Sequence, residues 1–445
     1  MNKLSLNAGK CEHRHFMHRA MKSTPWLICA SAAWLTLVPC EMAFADDNPE
    51  LNTDNTKSGQ RGVQLVIDDS TDKNIVGDWA TSGDATNGIV KLDGATVINN
   101  TKKNIMLLVA GGYTKTGTTS NSIVEVVNKS KVQGDIVGGD STAGATYNRV
   151  SIENSNFLNS KESPLIRYVI GGRTHDHIGE NNASVYNGVS ISHSIAYEVV
   201  GGVTMYGNTI NNEVVLKEKS TATLVYGGFI ETRGDARNNV VTIEDSTILN
   251  ECIGGYTVSG KAESNEIHLT KSSASMVIGG GYHYLQKGDV LKNIVTLENN
   301  SEAASVYGGF STSGNADGNE VTGSDSSISF AVYGGWGTTG ASGNKVTLDK
   351  VTVSGNVGGG KTDSGAASGN EVSLSNGTTF KGELYAGYTD NGDAIGNKLE
   401  LTDISQEVYD IYSSFTKTGQ AGGEVTLTNS QVDNVYGGKT ERCCK

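Results

Sequence analysis

The amino-acid sequence predicts an all-β fold: a repetitive, single-stranded β-helix or solenoid of about fourteen coils, preceded by a signal peptide. Three observations predict this fold. One short phrase of residues recurs from Ile75 to Gly438, apolar side chains within each copy lie two residues apart, and helical spacing of apolar residues is absent. The expected segments are a signal peptide at 1–45, a linker at 46–70, the solenoid at 71–438 and a tail at 439–445.

The N-terminus has the three parts of a secretory signal. A basic stretch precedes an apolar run from Trp26 to Val38, and small residues follow at Ala43-Phe44-Ala45, after which we expect cleavage. The apolar run is shorter than the ~20 residues that a membrane-spanning helix needs. The segment therefore predicts export of the mature chain. Its basic residues are Lys3, Lys10, Arg14, Arg19 and Lys22.

The repeat is clearest where Val306-Tyr307-Gly308-Gly309-Phe310 is followed by Gly314-Asn315-Ala316 and then by Asn319-Glu320-Val321-Thr322. Its Gly-Gly pairs recur on average about every 28 residues. A single copy is too small to bury a core, so neighbouring copies must stack on one another. The pairs end at Gly112, Gly139, Gly172, Gly202, Gly228, Gly255, Gly280, Gly309, Gly335, Gly359 and Gly438, with degenerate copies at Gly77-Asp78, Ala386-Gly387 and Ser413-Ser414.

Each copy contains one segment of the form Asn-x-Val-x-Leu, as in Asn344 to Leu348. Apolar residues two apart, such as Val346 and Leu348, predict a half-buried strand with Thr347 on its outer side. A kelch-type propeller also has Gly-Gly pairs, but its blades run ~50 residues, whereas the pair here returns after about 28. The shorter period favours the solenoid.

Other repeat positions suggest roles in stacking. The Gly pairs allow positive φ and close approach of one coil to the next. An Asn precedes the strand in eleven copies from Asn121 to Asn397, either as a hydrogen-bonded ladder or simply as a turn residue. Cys252 stands where other copies have an apolar residue, which indicates a buried side chain. The aromatic residues after the Gly pairs could stack as well: Phe229, Tyr256, Phe310, Trp336 and Tyr388.

The charge of the chain argues against nucleic acid as a partner. The whole chain has 35 Lys and Arg against 48 Asp and Glu, and the chain after residue 45 has 30 against 46. Such an acidic surface repels phosphate backbones. We also expect no cofactor and no metal site. The cysteines do not form a disulfide framework, Cys443-Cys444 lacks zinc spacing, and His175-Asp176-His177 is better explained as a solvated turn.

The sequence does not indicate a catalytic site. Asp54 and the pair Asp68-Asp69 superficially resemble the acidic motifs of polygalacturonases, but they lie before the first clear repeat and nothing pairs them. The chain is therefore predicted not to be an enzyme. One adhesive turn is a candidate: Arg233-Gly234-Asp235 resembles the tripeptide that integrins read, although Gly-Asp-Ala is also this repeat's own turn.

The Val-Tyr-Gly-Gly-aromatic, Gly-Asn-Ala and Asn-x-Val-x-Leu units resemble the passenger repeats of autotransporter (type V secretion) adhesin-like proteins, from about Gly77 to Gly438. The resemblance implies export through a C-terminal outer-membrane β-barrel and display or release of the solenoid. That barrel is missing here, and Gly437-Gly438-Lys439-Thr440 breaks off into Glu441 to Lys445, which suggests a truncated or frame-shifted end.

The sequence thus predicts an exported adhesive or structural passenger region. Its location would be the cell surface or the exterior if the parent protein is intact, and the periplasm if it is truncated. Its partners would be a host surface, glycans or copies of itself. Two alternatives stay open: a carbohydrate-active β-helix enzyme, and a non-functional truncated remnant of a larger autotransporter.

Overall fold

In the structure, a computed structural model, residues 51, 55–98, 107–155, 166–175, 182–281, 288–404 and 410–441 are described. All of them lie within the compact unit Asn48–Lys445. Every regular element among them is a β-strand, and the strands of the four sheets pair in parallel with the equivalent strand of the next coil. The fold is therefore the predicted β-solenoid. The predicted signal peptide at 1–45 lies outside the described residues.

The first sheet contains the Gly pairs and is called the Gly-pair sheet. Its 18 strands are Thr56–Ser58, Asn74–Ala80, Leu107–Thr114, Gly134–Ser141, Ile166–Thr174, Ile195–Tyr206, Thr221–Arg233, Thr247–Thr257, Ser273–Gly281, Glu302–Ser311, Ser327–Gly337, Thr352–Val353, Asn356–Ser364, Thr379–Phe380, Leu384–Asn391, Asp410–Thr416, Asn434–Tyr436 and Lys439–Thr440.

The second sheet contains the Asn-x-Val-x-Leu strands and is called the Val-Leu sheet. Its 14 strands make thirteen steps from coil to coil, which at ~4.8 Å each is a stack roughly 60 Å long. The strands are Gln64–Ile67, Ile89–Asp93, Ile123–Val127, Arg149–Glu153, Gly188–Ser192, Glu213–Lys217, Val240–Glu244, Glu266–Thr270, Ile294–Glu298, Glu320–Ser324, Lys345–Asp349, Glu371–Ser375, Ala394–Thr402 and Ala421–Thr428.

Two sheets of short strands complete the coils at the turns. Nine strands form one of them: Ala85–Thr86, Thr118–Ser120, Gly144–Thr146, Ala183–Val185, Asn208–Ile210, Ala236–Arg237, Ala262–Glu263, Val290–Leu291 and Ala316–Asp317. Three strands form the other: Ser70–Thr71, Thr96–Val97 and Lys131–Val132.

Strands also occur in the two segments that the sequence suggests as linker and tail. Thr56–Ser58 pairs with the strand that starts at Asn74, and Gln64–Ile67 pairs with the strand that starts at Ile89. At the other end, Lys439–Thr440 pairs with Phe415 and Thr416. The first two strands carry neither a Gly pair nor the Asn of the repeat, so the repeat phrase alone did not reveal them.

The core is one column of apolar side chains enclosed by the sheets. Val346 and Leu348 are fully buried and belong to it, whereas Thr347 between them is only half-buried. Cys252 is fully buried in the same core and pairs in register with Val277, which confirms its role as a small apolar residue. Burial raises the pKa of the Cys252 thiol, so the thiol stays protonated.

The repeat asparagines form a ladder through the interior. In nine successive steps the side-chain amide of one Asn donates to the Oδ1 of the next, at 2.9–3.1 Å, and all of these side chains are buried. The ladder interpretation is therefore confirmed over the simple turn residue. The ten members are Asn148, Asn187, Asn212, Asn239, Asn265, Asn293, Asn319, Asn344, Asn370 and Asn397.

Asn121 does not belong to the ladder; of the two roles that the sequence left open, the turn residue applies to it. Ser122 occupies the ladder position, since its backbone N–H donates to Oδ1 of Asn148 at 3.0 Å. Asn121 is exposed and has a φ of 51°. Asn is one of the few residue types that tolerate this left-handed conformation, so here the turn role applies instead.

A second ladder, which the sequence analysis missed, runs along another turn. Backbone N–H groups of one coil donate to a Ser hydroxyl of the next at 3.0–3.4 Å in five successive steps from Ser155 to Ser301. Each such Ser follows its coil's ladder Asn by seven or eight residues, and that spacing is a sequence signal that could have found it. The members of these steps are Ser155, Ser194, Ser220, Ser246, Ser272 and Ser301.

The Gly pairs allow close stacking, but not through positive φ. None of Gly308, Gly309, Gly334 or Gly335 has a positive φ. A Cβ on Gly308 would lie 2.4 Å from the carbonyl oxygen of Gly334, and one on Gly309 would lie 2.5 Å from the side chain of Asn319. Glycine is therefore required at both positions because the strand backbone lies so close to the next coil and to the Asn ladder. The expectation of positive φ at the Gly pairs is wrong.

One Gly pair is shifted by one residue in the pairing between coils. Gly335 pairs with Gly360, not with Gly359, because three glycines stand in a row and the first takes the place of Tyr333 on the next coil. A Cβ on Gly358 would lie 2.6 Å from a ring carbon of Tyr385 and 2.8 Å from one of Tyr333. The missing side chain lets the two tyrosines of the flanking coils approach, with ring centroids 6.3 Å apart.

Candidate functional surface: a groove along the Gly-pair sheet

The strands of the Gly-pair sheet bend sharply at the Gly pair. In a straight strand, residues three apart are ~10 Å apart and point to opposite faces. Here the rings just before and just after the pair touch, as in Tyr333 and Trp336, whose centroids are 5.3 Å apart. The same contact recurs in five coils at 5.2–5.6 Å. Each strand therefore has two arms that meet at a concave outer angle.

Stacked coils turn this angle into a groove, which we call the outer groove. Its side chains lie opposite the core, because Val306 and Val332 point inward while the tyrosines that follow them contact the rings of the second arm. The side chains after the Gly pairs align in register along the stack, from Phe229 to Tyr256 and from Phe310 to Trp336. The groove thus runs parallel to the stack.

Aromatic rings line much of the outer groove. Phe229 and Tyr256 stack with centroids 4.6 Å apart and planes 4° apart, and Tyr388 stacks on Phe415 at 5.1 Å. Phe310 meets Trp336 edge to face at 5.7 Å. These contacts confirm that the aromatic residues after the Gly pairs interact, and each contact adds ~0.5–1.5 kcal/mol to the burial of the rings.

Lysines cover the aromatic faces in the C-terminal coils. The Nζ of Lys361 lies 4.0 Å from the ring centroid of Trp336, and that of Lys439 lies 4.9 Å from the ring of Tyr436. Such cation–π contacts are worth ~0.5–2 kcal/mol each. Lysine therefore replaces an aromatic residue at the position after the Gly pair without breaking the line of contacts.

A buried ion cluster occupies the N-terminal part of the same groove. Asp140 contacts Arg173 at 2.6 Å and His175 at 2.7 Å, and Arg173 also contacts Asp135 at 3.3 Å. Burial alone would raise the pKa of Asp140, but the charges of Arg173 and His175 outweigh it and hold that pKa below its ordinary value. The side chain of Arg173 is only 3% exposed, so these carboxylates are needed to balance its charge.

Further carboxylates lie beside this cluster with no equivalent balance. Burial raises the pKa of Glu198 to about 8. The charge of Arg167 opposes that rise, and the nearby carboxylates of Asp135, Glu251 and Glu231 add to it. Burial likewise raises the pKa of Glu231 to about 8 and raises that of Glu251, which accepts a hydrogen bond from Tyr226 at 3.3 Å. No sequence signal pointed to this group, since its members come from separate coils.

The structure places Arg233-Gly234-Asp235 at the end of the strand Thr221–Arg233 and in the following turn. Asp235 is only half-buried, yet its Oδ1 accepts the backbone N–H of Lys261 on the next coil at 2.8 Å, and its Oδ2 pairs with Arg237. The carboxylate therefore has a structural role in stacking the turn. The adhesive role of the tripeptide stays a prediction.

The other residues singled out in the sequence do not converge on one site. His175 belongs to the ion cluster, whereas Asp176, His177, Cys443 and Cys444 lie outside the described residues. Within the described part of the chain, no three His, Cys, Asp or Glu side chains are grouped so that they could hold a metal ion. In that same part, no helix is long and apolar enough to cross a membrane.

Comparison with family models, with curated proteins and with solved structures finds no match to this chain. The resemblance to autotransporter passengers therefore depends on the repeat residues and on the β-solenoid that they form.

Proposed function

We propose that this chain is the passenger region of an exported protein and acts as a rigid display rod with a structural or adhesive role. The observation that carries the proposal is the parallel stack of coils, in which an Asn ladder from Asn148 to Asn397 and a Ser ladder from Ser155 to Ser301 hold successive coils in register. The buried Asn and Ser side chains form hydrogen bonds between coils. The outward side chains differ more from coil to coil. A rigid scaffold with a variable surface suits contact with a partner.

Adhesion would use the outer groove. Aromatic rings are enriched where proteins bind partners, because they bury a large apolar area at a low cost in side-chain entropy. Half-buried rings of Tyr256, Phe310 and Trp336 remain on the groove surface. The proposed partners are a host surface, glycans or other copies of the chain, and the proposed role does not include catalysis.

Export is tested by expressing the full chain in a Gram-negative bacterium and determining the N-terminus of the fractionated product. Recovery outside the cytoplasm with Asp46 as the first residue supports the proposal. Full-length chain that stays in the cytoplasm contradicts it.

Adhesion is tested by coating beads with the purified chain and counting their attachment to epithelial cells and to immobilised glycans. Attachment above that of uncoated beads supports the adhesive role. Loss of attachment in Arg233→Lys would assign it to the integrin-type tripeptide, and unchanged attachment would remove that assignment. Reproducible cleavage of a polysaccharide by the chain would favour an enzyme instead.

A further inference from the structure

The acidic part of the outer groove has a regular layout on the first arm. Tyr168, Glu198, Leu224 and Glu251 stand in register on four successive coils, so that acidic and uncharged residues alternate. Two coils separate the carboxylates by ~10 Å. The inward neighbours of the last three, Val199, Val225 and Cys252, belong to the core, which places Glu198 and Glu251 on the groove side.

Glu198 lacks the partners that a buried carboxyl group needs. It is 2% exposed, and its Oε1 is buried with no hydrogen-bond partner in the described part of the chain. A buried polar group without a hydrogen bond costs ~1–3 kcal/mol, and an ionised one costs more. A group of this kind in a native structure needs an explanation, and a bound cation is one that would satisfy it.

The charged groups around Glu198 do not supply that partner. On one side, Arg173 is engaged by Asp140 and Asp135, while Arg167 is exposed with its guanidinium 4.8 Å from the ring of Tyr168. On the other side, the nearby ionisable groups are the carboxylates of Glu231 and Glu251 and the hydroxyl of Tyr226. Acidic groups therefore outnumber basic ones here, although the charge of Arg167 opposes the rise in the pKa of Glu198, and Glu198 and Glu231 are mostly protonated at pH 7.

The second arm adds aromatic rings to these carboxylates. Phe229 and Tyr256 stack on each other, and Tyr226 meets both rings edge to face at 5.2 and 6.1 Å. Aromatic faces next to carboxylates attract ammonium and guanidinium groups, because both the ring quadrupole and the negative charge favour a cation.

We propose that the outer groove at Glu198, Glu231 and Glu251 binds basic side chains of an extended partner peptide. A lysine ammonium or arginine guanidinium would approach over the half-buried Glu251 and Tyr256. Because Glu198 is only 2% exposed, its side chain would turn outward so that the unpartnered Oε1 accepts a hydrogen bond from the cation. A peptide that runs along the groove would meet the next first-arm carboxylate after ~10 Å. The inference rests on the proposed adhesive function for its biological setting, but not for its test.

Binding of a cation also moves a proton. Because the pKa of Glu198 is raised to about 8, its carboxyl group is mostly protonated at pH 7 in the free chain. A bound ammonium group favours the carboxylate, so the proton leaves to the buffer as the ion pair forms. Proton release at pH 7 therefore distinguishes a specific ion pair with Glu198 from general attraction of a basic peptide to the acidic surface of the chain.

The experiment is calorimetric titration of the full chain with acetylated hexalysine at pH 7, in several buffers of different ionisation enthalpy. The matched variants are Glu198→Gln and Glu251→Gln in the groove, and Glu371→Gln on the Val-Leu sheet as the control. We expect affinity to fall about tenfold in each groove variant and less than twofold in the control. We also expect a net release of protons in the wild type that Glu198→Gln removes.

Three results would overturn the proposal: no binding of hexalysine, an equal loss in all three variants, or a binding enthalpy that does not depend on the buffer. An equal loss would mean that only the overall negative charge attracts the peptide. Glu251 is half-buried, so Glu251→Gln is expected to fold even if Glu198→Gln does not. The comparison with the control then still tests the groove. Attachment of coated beads despite any of these results would leave the display function standing.

Discussion

Asn293 and Asn319 lie on successive coils, and the Oδ1 of Asn319 accepts two hydrogen bonds from Asn293: one from the side-chain amide at 2.9 Å and one from the backbone N–H at 3.0 Å. The amide of Asn293 also donates to the carbonyl of Ala262 at 2.9 Å. One buried side chain therefore joins three coils. Repetition of this contact from Asn148 to Asn397 helps to fix the register of the coils between them.

Replacement of Asn293 by Ala should destabilise the solenoid. It removes the acceptor of the backbone N–H and the side-chain amide of Asn265 and leaves both buried. We expect a loss of ~2–4 kcal/mol in the free energy of unfolding, measured by urea denaturation. Asn391→Ala is the control, because that side chain is exposed and makes one long contact of 3.4 Å with a carbonyl. Equal losses in the two variants would contradict the ladder's role.

Replacement of Gly308 by Ala should be costly although the residue is not at positive φ. The added methyl group would lie 2.4 Å from the carbonyl oxygen of Gly334. The backbone of the neighbouring coil would have to shift to relieve this clash. We expect a loss of ~1–3 kcal/mol or failure to fold. At Gly422 a Cβ would meet nothing within 4 Å, so Gly422→Ala should be neutral within ~0.5 kcal/mol. Thermal melting of both variants checks this, and an unstable Gly422→Ala with a stable Gly308→Ala would refute it.

The stability of the chain should fall between pH 5 and pH 8.5. The pKa of Glu198 is about 8 in the folded chain, above its ordinary value of 4.5, so its stabilising contribution is complete below pH 4.5 and is lost as pH rises through 8. Glu231, also with a pKa of about 8, acts in the same direction. We expect a lower urea midpoint at pH 8.5 than at pH 5.5, and a smaller difference in Glu198→Gln. An unchanged difference in that variant would show that Glu198 does not cause it.

Replacement of Asp140 by Asn should be more harmful than loss of a surface ion pair. It weakens the contacts that balance the buried guanidinium of Arg173, which typically costs ~3–5 kcal/mol. Asp390→Asn breaks the partly exposed pair with Lys417 and should cost ~0–1 kcal/mol. Denaturation at pH 7 compares the two. Because the pKa of Asp140 is lowered, its contribution is present above its ordinary value near 4 and should disappear in wild type as the pH falls below that value.

The repeat made most of the fold predictable. The period of the Gly pairs and the alternation of Val346 and Leu348 determine a stacked strand, because a copy of that size cannot bury a core alone. The position of Cys252 followed from the same alignment. Local ambiguity caused the errors: Asn121 and Ser122 are adjacent polar residues, and the three glycines at Gly358 allow two registers.

The outer groove could not be predicted, because it depends on how the strand bends. Whether Tyr333 and Trp336 share a face follows from the angle at the Gly pair, which the sequence pattern does not specify. The carboxylates of Glu198 and Glu251 come from coils that are not adjacent, and only the register brings them into one line. Their burial depends on neighbours from several coils.

The most direct test of the account is a set of electron–electron distances between spin labels on the outward side of the Val-Leu sheet. Labels at the pairs Thr242/Thr347, Ser151/Thr347 and Ser190/Thr426 are separated by four, seven and nine coils. The solenoid predicts distances that rise in proportion, to about 19, 34 and 43 Å at ~4.8 Å per coil. Distances that level off or fall with increasing sequence separation, as in a closed ring of repeats, would contradict it.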